Sequence, residues 1–261
     1  MTSDAESKTN LPQPTPERNS SLVTRSSVPV GLKYSAYKPY LRRDFFYSCA
    51  YCTMSEAEAQ AIRFTIDHYE PKSAREDLED DYSNLMYACD ECNMRKGNRC
   101  PPASARADGF RFFRPDIDAY EQHFEKNGIR LRHKTTVGEF TIDAIDLNRM
   151  SLRRLRDIRQ RLTDCDRYVV AGVLALKNFH IDQLPSSIKN QAVNTIKRAA
   201  KIAEKMANEI DELLREHAKS SLDAEDHEFV ERTKKRAKKL KGLAALYPDN
   251  WRADEHSRRQ R

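Results

Sequence analysis

The cysteines of this 261-residue chain differ in their spacing. Four of them form two CxxC pairs, Cys49 with Cys52 and Cys89 with Cys92. In a protein of a reducing compartment such pairs are typical of zinc ligands, because Zn²⁺ binds four thiolates tetrahedrally and each CxxC turn presents two. Four thiolates leave no open coordination position, so we expect one structural zinc. Cys100 and Cys165 have no partner at ligand spacing, and we interpret them as ordinary cysteines.

A set of polar residues lies between and directly after these pairs. Asp67 and His68 follow the short β-favouring run 64–66, Asn84 precedes the second pair, and Asn93 follows it. The segment 89–96 is typical of the start of a short helix. A strand pair followed by that helix, held by zinc, brings these four residues near one another.

The complete pattern resembles the HNH nuclease family, in the subgroup with a CxxC…DH…NL…CxxCNxxK layout. The resemblance covers about residues 47–98 and implies a ββα-metal fold. It implies that His68 is the general base, that Asp67 ligates a catalytic divalent cation, and that Asn84 holds the loop and orients His68. Asn93 stands where the family often has histidine, and the resemblance implies that its carbonyl oxygen is the second metal ligand.

The implied reaction is hydrolysis of a phosphodiester bond. An imidazole with a pKa of about 6.5 can take the proton of the attacking water at neutral pH. A divalent cation neutralises the charge that develops on the phosphate and the leaving oxygen. Oxygen ligands from Asp67 and Asn93 favour Mg²⁺ or Mn²⁺, which prefer hard donors.

Basic residues outside this core predict contacts with nucleic-acid phosphates. We expect Arg95 and Lys96 to hold phosphates, and Arg153, Arg154 and Arg156 to track the backbone from an arginine-rich helix. The run 232–241 contains seven basic residues and raises the same expectation. The alternative for both segments is an amphipathic helix with a solvated charged face. The expected partner is duplex DNA. Because the segment 67–93 is itself acidic, the positive charge that binds the duplex has to come from other segments of the chain.

Composition and residue patterns divide the chain into four segments. Residues 1–37 are rich in Ser, Thr and Pro, which predicts a disordered tail. Residues 38–150 are expected to form the nuclease domain, 151–247 a helical domain for DNA or a partner, and 248–261 a polar tail. The fold class is therefore α+β, a zinc-stapled ββα-metal core followed by a mostly α-helical region.

Three local patterns give more specific expectations within these segments. Alternation over 129–133 followed by 138–142 suggests a small hairpin. Leu152, Leu155, Ile158 and Leu162 begin a helix with Ser151 as its N-cap, and an apolar stripe marks a long helix over 188–214. That stripe suggests that the helical half docks an ATPase or another defence-system partner, or a second copy of the chain.

Composition limits the class of protein. The net charge is +6, charged residues make up 33%, and no apolar run approaches the ~20 residues of a membrane helix. No secretory signal is visible, which favours a cytoplasmic protein. The leading interpretation is a metal-dependent DNA endonuclease of bacterial anti-phage defence or of mobile elements. The alternative is a non-catalytic zinc-stapled module that binds nucleic acid or serves as an adaptor.

Overall fold

The computed structural model describes residues 22–59, 61–177, 185–218 and 226–252. Its strands are β1 Phe64–His68, β2 Leu85–Cys89, β3 Phe124–Asn127 and β4 Arg130–His133. Its α-helices are α1 Lys38–Asp44, α2 Glu56–Ala59, α3 Asp90–Lys96, α4 Ala103–Ala107, α5 Tyr120–His123, α6 Thr136–Ile145, α7 Met150–Lys177, α8 Ser186–Ala218 and α9 Phe229–Leu246. Within these ranges, none of the helices combines the length and hydropathy needed to cross a membrane.

Strands β1 and β2 with helix α3 form a ββα unit, as expected. The strands pair antiparallel, with Asp67 opposite Met86 and His68 opposite Leu85. Every residue of β2 is buried, because the strand pairs with β1 and contacts α1 and α3. Helix α3 follows β2 directly and ends at Lys96, where Gly97 forms the C-cap with a φ of 55°. The sequence prediction of an α+β fold with this core is confirmed.

The second antiparallel pair differs from the predicted hairpin. Strand β4 pairs with β3, and the segment 136–145 is helix α6 instead of a strand. Thr135 caps this helix by accepting the N–H of Gly138 at 3.2 Å. A Cβ at Gly138 would clash with the carbonyl oxygen of His123, so glycine allows close packing of the helix on the hairpin. The prediction over 138–142 was wrong because this glycine serves a tertiary contact.

The segment before α1 packs on the nuclease core from residue 22 onward. Val23 is buried and donates its backbone N–H to the carbonyl of Pro115 at 2.7 Å. Arg25 pairs with Asp116 at 2.9 Å and donates to the carbonyl oxygens of Tyr82 and Leu85. The predicted tail boundary at residue 37 was therefore wrong for 22–37, because a few long-range polar contacts order a segment whose composition is polar. The part of that call covering 1–21 lies outside the described residues.

The C-terminal helices do not form one separate body. Leu152, Leu155 and Ile158 at the start of α7 are buried, while Leu162 is 38% exposed. Helix α8 contacts α7, and α9 returns to pack on α6. Beyond α9, the carbonyl of Trp251 accepts the backbone N–H of Cys100 at 2.9 Å. The expected division at 151 and 248 thus cuts through packed structure, because Arg232 and Lys239 of α9 pair with Asp146 and Asp143 at the end of α6.

Candidate active site and zinc centre

The four paired cysteines form one buried cluster. Their sulfur atoms lie within 4.8 Å of one another, and the Sγ atoms of Cys52 and Cys89 are 3.8 Å apart. Zn–S bonds of about 2.3 Å in a tetrahedron place sulfurs about 3.8 Å apart. The cluster therefore fits a single zinc ion with four thiolate ligands and no open position.

Arg149 lies directly against this cluster. Its side chain is 3% exposed, and its guanidinium donates to Cys92 Sγ at 3.5 Å and to Glu91 at 2.9 Å. Four thiolates around a divalent ion carry excess negative charge, which a buried guanidinium offsets. Arg149 stands just before α7, so the same contact joins the zinc cluster to the start of that helix.

His68 is buried at the end of β1, on the face opposite to Asp67. Its Nε2 lies 2.9 Å from the carbonyl oxygen of Glu79, and its ring meets the Tyr34 ring edge-on at 5.0 Å between centroids. A carbonyl only accepts hydrogen bonds, so Nε2 carries the proton and Nδ1 keeps its lone pair. Burial lowers the pKa of His68 below its usual value, and the Lys72 ammonium adds to this effect. The imidazole is thus neutral at neutral pH and suited to accept a proton.

Asn84 fixes the two loops beside His68. Its Oδ1 accepts the backbone N–H of Glu70 at 2.8 Å, and its Nδ2 donates to the carbonyls of Glu70 at 3.1 Å and Leu78 at 3.2 Å. Leu78 precedes Glu79, the residue that holds the imidazole. Asn84 therefore connects the end of β1 to the carbonyl that orients His68.

Asp67 is 4% exposed and faces α3. Its Oδ1 accepts from Lys96 Nζ at 3.0 Å, and its Oδ2 accepts from the Tyr51 hydroxyl at 2.5 Å. Lys96 has no exposed side-chain surface and also donates to the carbonyl of His68 at 2.7 Å. The expectation that Lys96 holds substrate phosphate was wrong, because its ammonium is buried and bonded within the protein.

Asn93 lies in the same gap between β1 and α3. Its Nδ2 is 3.1 Å from the Thr65 hydroxyl, and Thr65 shares a strand face with Asp67. Carboxylate and amide oxygens are suitable ligands for Mg²⁺ or Mn²⁺. In this arrangement, however, both oxygens of Asp67 are already bonded, one of them to a cation. The residues as placed do not fit a divalent ion on Asp67.

A model of the HNH endonuclease family matches residues 49–99. This segment is an HNH domain. It spans both cysteine pairs, β1, β2 and α3, with Asp67, His68 and Asn84 between them. No curated protein and no solved structure matches the chain.

The arginines near the HNH domain mostly face inward. Arg153 is 3% exposed and pairs with Asp226 at 3.3 Å and Glu228 at 2.9 Å. Arg156 is half-buried and donates to the backbone carbonyls of Ile129 and Leu147. Arg154, the third arginine expected to track phosphates, is half-buried. The expectation of an outward arginine face was wrong for Arg153 and Arg156, since α7 presents them to neighbouring elements.

Asp146 is the buried ion-pair partner of three other arginines. It follows α6 with a φ of 58°, is 1% exposed, and pairs with Arg95 at 3.5 Å, Arg232 at 3.0 Å and Arg236 at 3.2 Å. Unpaired carbonyls at a helix C-terminus also attract cations. Here the carbonyl of Asp143 accepts from Arg236 at 2.7 Å. Arg95 and the inner side of the run 232–241 are therefore bound to α6 and to Asp146 directly after it.

The outer side of α9, in contrast, carries lysines that are exposed to solvent. Lys234, Lys238 and Lys241 are exposed and recur at helical spacing, so they share one face. Sequence reasoning gave the whole basic run one role, whereas the fold divides it into an inner and an outer half. The sequence did not predict the contact of Tyr51 with Asp67 or that of Arg149 with the cysteine cluster. The only signal for Tyr51 was its place inside the first CxxC pair.

Proposed function

We propose that this protein is an endonuclease that hydrolyses phosphodiester bonds in DNA, with His68 as the general base. The observation that carries the proposal is the hydrogen bond from His68 Nε2 to the carbonyl of Glu79 inside an HNH frame. That bond orients the ring and leaves the Nδ1 lone pair for a water molecule. Asn84 supports the geometry by tying together the loops on either side of the ring.

In the proposed reaction, His68 Nδ1 removes a proton from water and the oxygen attacks phosphorus. The bond to the 3′ oxygen breaks in line with the attack, and the leaving oxygen takes up a proton from solvent. HNH proteins are in general metal-dependent nucleases, and the resemblance implies Mg²⁺ or Mn²⁺ on Asp67 and Asn93. Because Lys96 and Tyr51 engage Asp67 here, we assign no step to that ion.

We assign the nucleic-acid surface to the outer face of α9. Lys234, Lys238 and Lys241 are exposed, while Arg232 and Lys239 of the same helix are bound to acidic residues of the body. The helix is thus anchored through one side and presents ammonium groups on the other. Evenly spaced lysines suit a phosphate backbone without reading bases, and duplex DNA is the expected partner.

The proposal also includes a cellular role, which rests on the surface of helix α8. Helix α8 exposes apolar side chains on one face, with Ile188 at 44% and Ile202 at 60%. Such a face supports docking of a partner, such as an ATPase of a bacterial anti-phage defence or mobile-element system, or of a second copy. A cytoplasmic location is part of the same proposal.

One observation favours a second candidate, a zinc-stapled binding or adaptor module without catalysis. The carboxylate expected to hold the cation is bonded to Lys96 and Tyr51. A module of this kind needs the zinc cluster and the basic surface, but not a base at His68. The two candidates therefore differ in what happens when His68 is replaced.

The test is cleavage of supercoiled plasmid with Mg²⁺ or Mn²⁺ by wild type, His68→Ala and His123→Gln. His123 is the matched control, because its side chain is also buried and lies outside the HNH domain. Loss of the base should reduce the rate by about 10²–10⁴-fold, while the control retains activity. Equal cleavage by His68→Ala and wild type contradicts the proposal, and binding without cleavage by any variant supports the adaptor.

A further inference from the structure

We propose that Lys96 is an internal cation that competes with a divalent metal ion for Asp67, so that metal binding and the Lys96–Asp67 ion pair exclude each other. The inference rests on the proposed function, because it concerns the metal expected at the same site. It makes Lys96 a positioning residue that sets metal affinity, in place of the phosphate contact that its position in the motif suggested.

The contacts of Lys96 carry the first step. Its ammonium lies 3.0 Å from Asp67 Oδ1 and 2.7 Å from the carbonyl oxygen of His68, and the ring centroid of Phe112 is 5.6 Å away. No part of the side chain is exposed, and Asp67 is 4% exposed. The pair is therefore an ion pair of the protein interior, with water excluded from both partners.

The second step concerns the remaining capacity of the carboxylate. Tyr51 is buried and donates its hydroxyl hydrogen to Oδ2 at 2.5 Å. Both oxygens of Asp67 thus accept hydrogen bonds from protein groups. A metal ion can reach this carboxylate only if one of the two donors moves away.

Electrostatics decides which donor must move. A tyrosine hydroxyl is neutral and can turn to bond one oxygen beside a metal ion. An ammonium and a divalent ion on one buried carboxylate repel each other, and this repulsion is strong where the dielectric constant is low. Lys96 is thus the group that a bound ion has to displace.

Displacement of Lys96 also affects the base. The same ammonium holds the carbonyl of His68, so its departure releases the backbone at the end of β1. Metal binding at Asp67 is then coupled to the position of the imidazole. Lys96 lies three residues after Asn93 on α3, nearly one helical turn, so its movement occurs beside the second expected oxygen ligand.

The competing explanation is that the pair only fastens α3 to β1. Both explanations predict that removal of the charge destabilises the fold, because Asp67 is left buried and unpaired. They differ in the effect on metal affinity. A purely structural pair predicts that loss of Lys96 leaves Mn²⁺ binding equal or weaker, whereas competition predicts tighter binding.

The experiment measures Mn²⁺ binding to zinc-loaded protein by the electron paramagnetic resonance signal of free Mn²⁺. We expect Lys96→Met to bind Mn²⁺ about 10–100-fold more tightly than wild type, the range in which neighbouring groups change metal affinity. Lys96→Arg keeps the charge and should bind no more tightly than wild type. Tyr51→Phe removes a neutral donor and should change affinity by less than about 10-fold.

Thermal unfolding supplies a second readout. Lys96→Met should unfold at a lower temperature than wild type, and Mn²⁺ should raise its midpoint by more than it raises that of wild type. If circular dichroism shows that Lys96→Met is not folded, Lys96→Gln decides by the same criteria. Equal or weaker Mn²⁺ binding by the folded variant overturns the inference.

Asp67→Asn separates failure of the inference from failure of the proposed function. We expect this variant to bind Mn²⁺ more weakly than wild type, and unchanged Mn²⁺ binding by it overturns the inference. Neither result bears on the base, which the plasmid assay with His68→Ala tests independently. A nuclease that depends on His68 but binds Mn²⁺ no better without Lys96 leaves the proposed function standing.

Discussion

The Nε2 atom of His68 lies 2.9 Å from the carbonyl oxygen of Glu79, so the ring of the proposed base is held by a loop eleven residues further along the chain. Asn84 holds that loop in turn, through its bond to the carbonyl of Leu78. The orientation of the ring is therefore set by a chain of contacts between β1, the loop and the start of β2. This relationship makes Asn84 the most direct test of the site's architecture.

We predict that Asn84→Ala lowers cleavage by about 10²-fold through kcat, because misplacement of a catalytic group by about 1 Å has an effect of that size. The free energy of unfolding should also fall by about 1–3 kcal/mol for each buried group left without a partner. Plasmid cleavage and urea unfolding measure the two effects. Asn127→Ala, at an exposed position of β3, is the matched control and should change stability by less than about 0.5 kcal/mol. An active, stable Asn84→Ala protein contradicts the positioning role.

Zinc content should depend on the four clustered cysteines. We predict about one zinc per chain by atomic absorption, and loss of zinc with loss of folding in Cys92→Ser, since the energy of binding a structural zinc contributes directly to folding. Cys100 bonds to Glu70 and lies outside the cluster, so Cys100→Ser should retain the metal. A zinc-free wild-type protein that is folded would rule out the structural metal.

Arg149 should increase the affinity for zinc. Its guanidinium is buried against Cys92 and Glu91, so Arg149→Met removes the charge that offsets the thiolates. We predict a loss of about 10–100-fold in zinc affinity, measured by competition with a chromogenic chelator. Arg132→Met, at an arginine whose side chain is 65% exposed, should leave the affinity unchanged. The same affinity in both variants shows that Arg149 has no such effect.

The outer face of α9 should determine the salt dependence of DNA binding. We predict that replacing Lys234, Lys238 and Lys241 together by Gln weakens binding and reduces the slope of log K against log salt by up to about 0.9 per lost contact. Fluorescence anisotropy with a labelled duplex at several salt concentrations measures both quantities.

The control for that experiment is a second set of exposed lysines at helical spacing. Lys197, Lys201 and Lys205 lie on α8, which packs on α7. Their replacement by Gln removes the same charge and should leave the slope within error of wild type. An equal effect of the two triple variants points to net charge alone and contradicts a defined surface.

Stability should fall in mild acid, in part through His123. Burial lowers the pKa of this imidazole below its usual value of about 6.5, although Asp118 acts in the opposite direction. Below that value the unfolded chain takes up a proton that the folded protein still refuses. The contribution is therefore fully present above about pH 6.5 and is lost as the pH falls towards the folded pKa. Urea unfolding of wild type and His123→Gln between pH 5 and 8 tests this, and the variant should show a shallower decline.

The fold of the HNH segment was largely readable from the sequence because its signals are local. The two CxxC spacings, the short run before Asp67 and the helix after Cys89 each depend on neighbours along the chain. The predicted strand over 64–66 is part of β1, and the predicted short helix is α3. The long helix expected over 188–214 lies within α8, because its apolar period spans many turns.

The wrong predictions have one common cause, which is contact between residues that are far apart in the chain. Gly138 belongs to a helix because it packs on His123, and residues 22–37 are ordered because Arg25 reaches Asp116. The local sequence of either segment does not indicate which distant residue it contacts. Local pattern therefore predicted a strand where the fold has a helix, and composition predicted a disordered tail where it has a packed segment.

The sequence by itself determined which four cysteines cluster, the ββα order and the identity of the residues near the proposed base. Only the tertiary structure decided the state of the charged groups: Lys96 is bonded to Asp67, Arg153 to Asp226, and Arg95 to Asp146. The physical reason is that ligand spacing and helical period are properties of neighbouring residues. Whether a cation faces solvent or a buried carboxylate depends on which elements pack beside it, and those elements are far away in the chain.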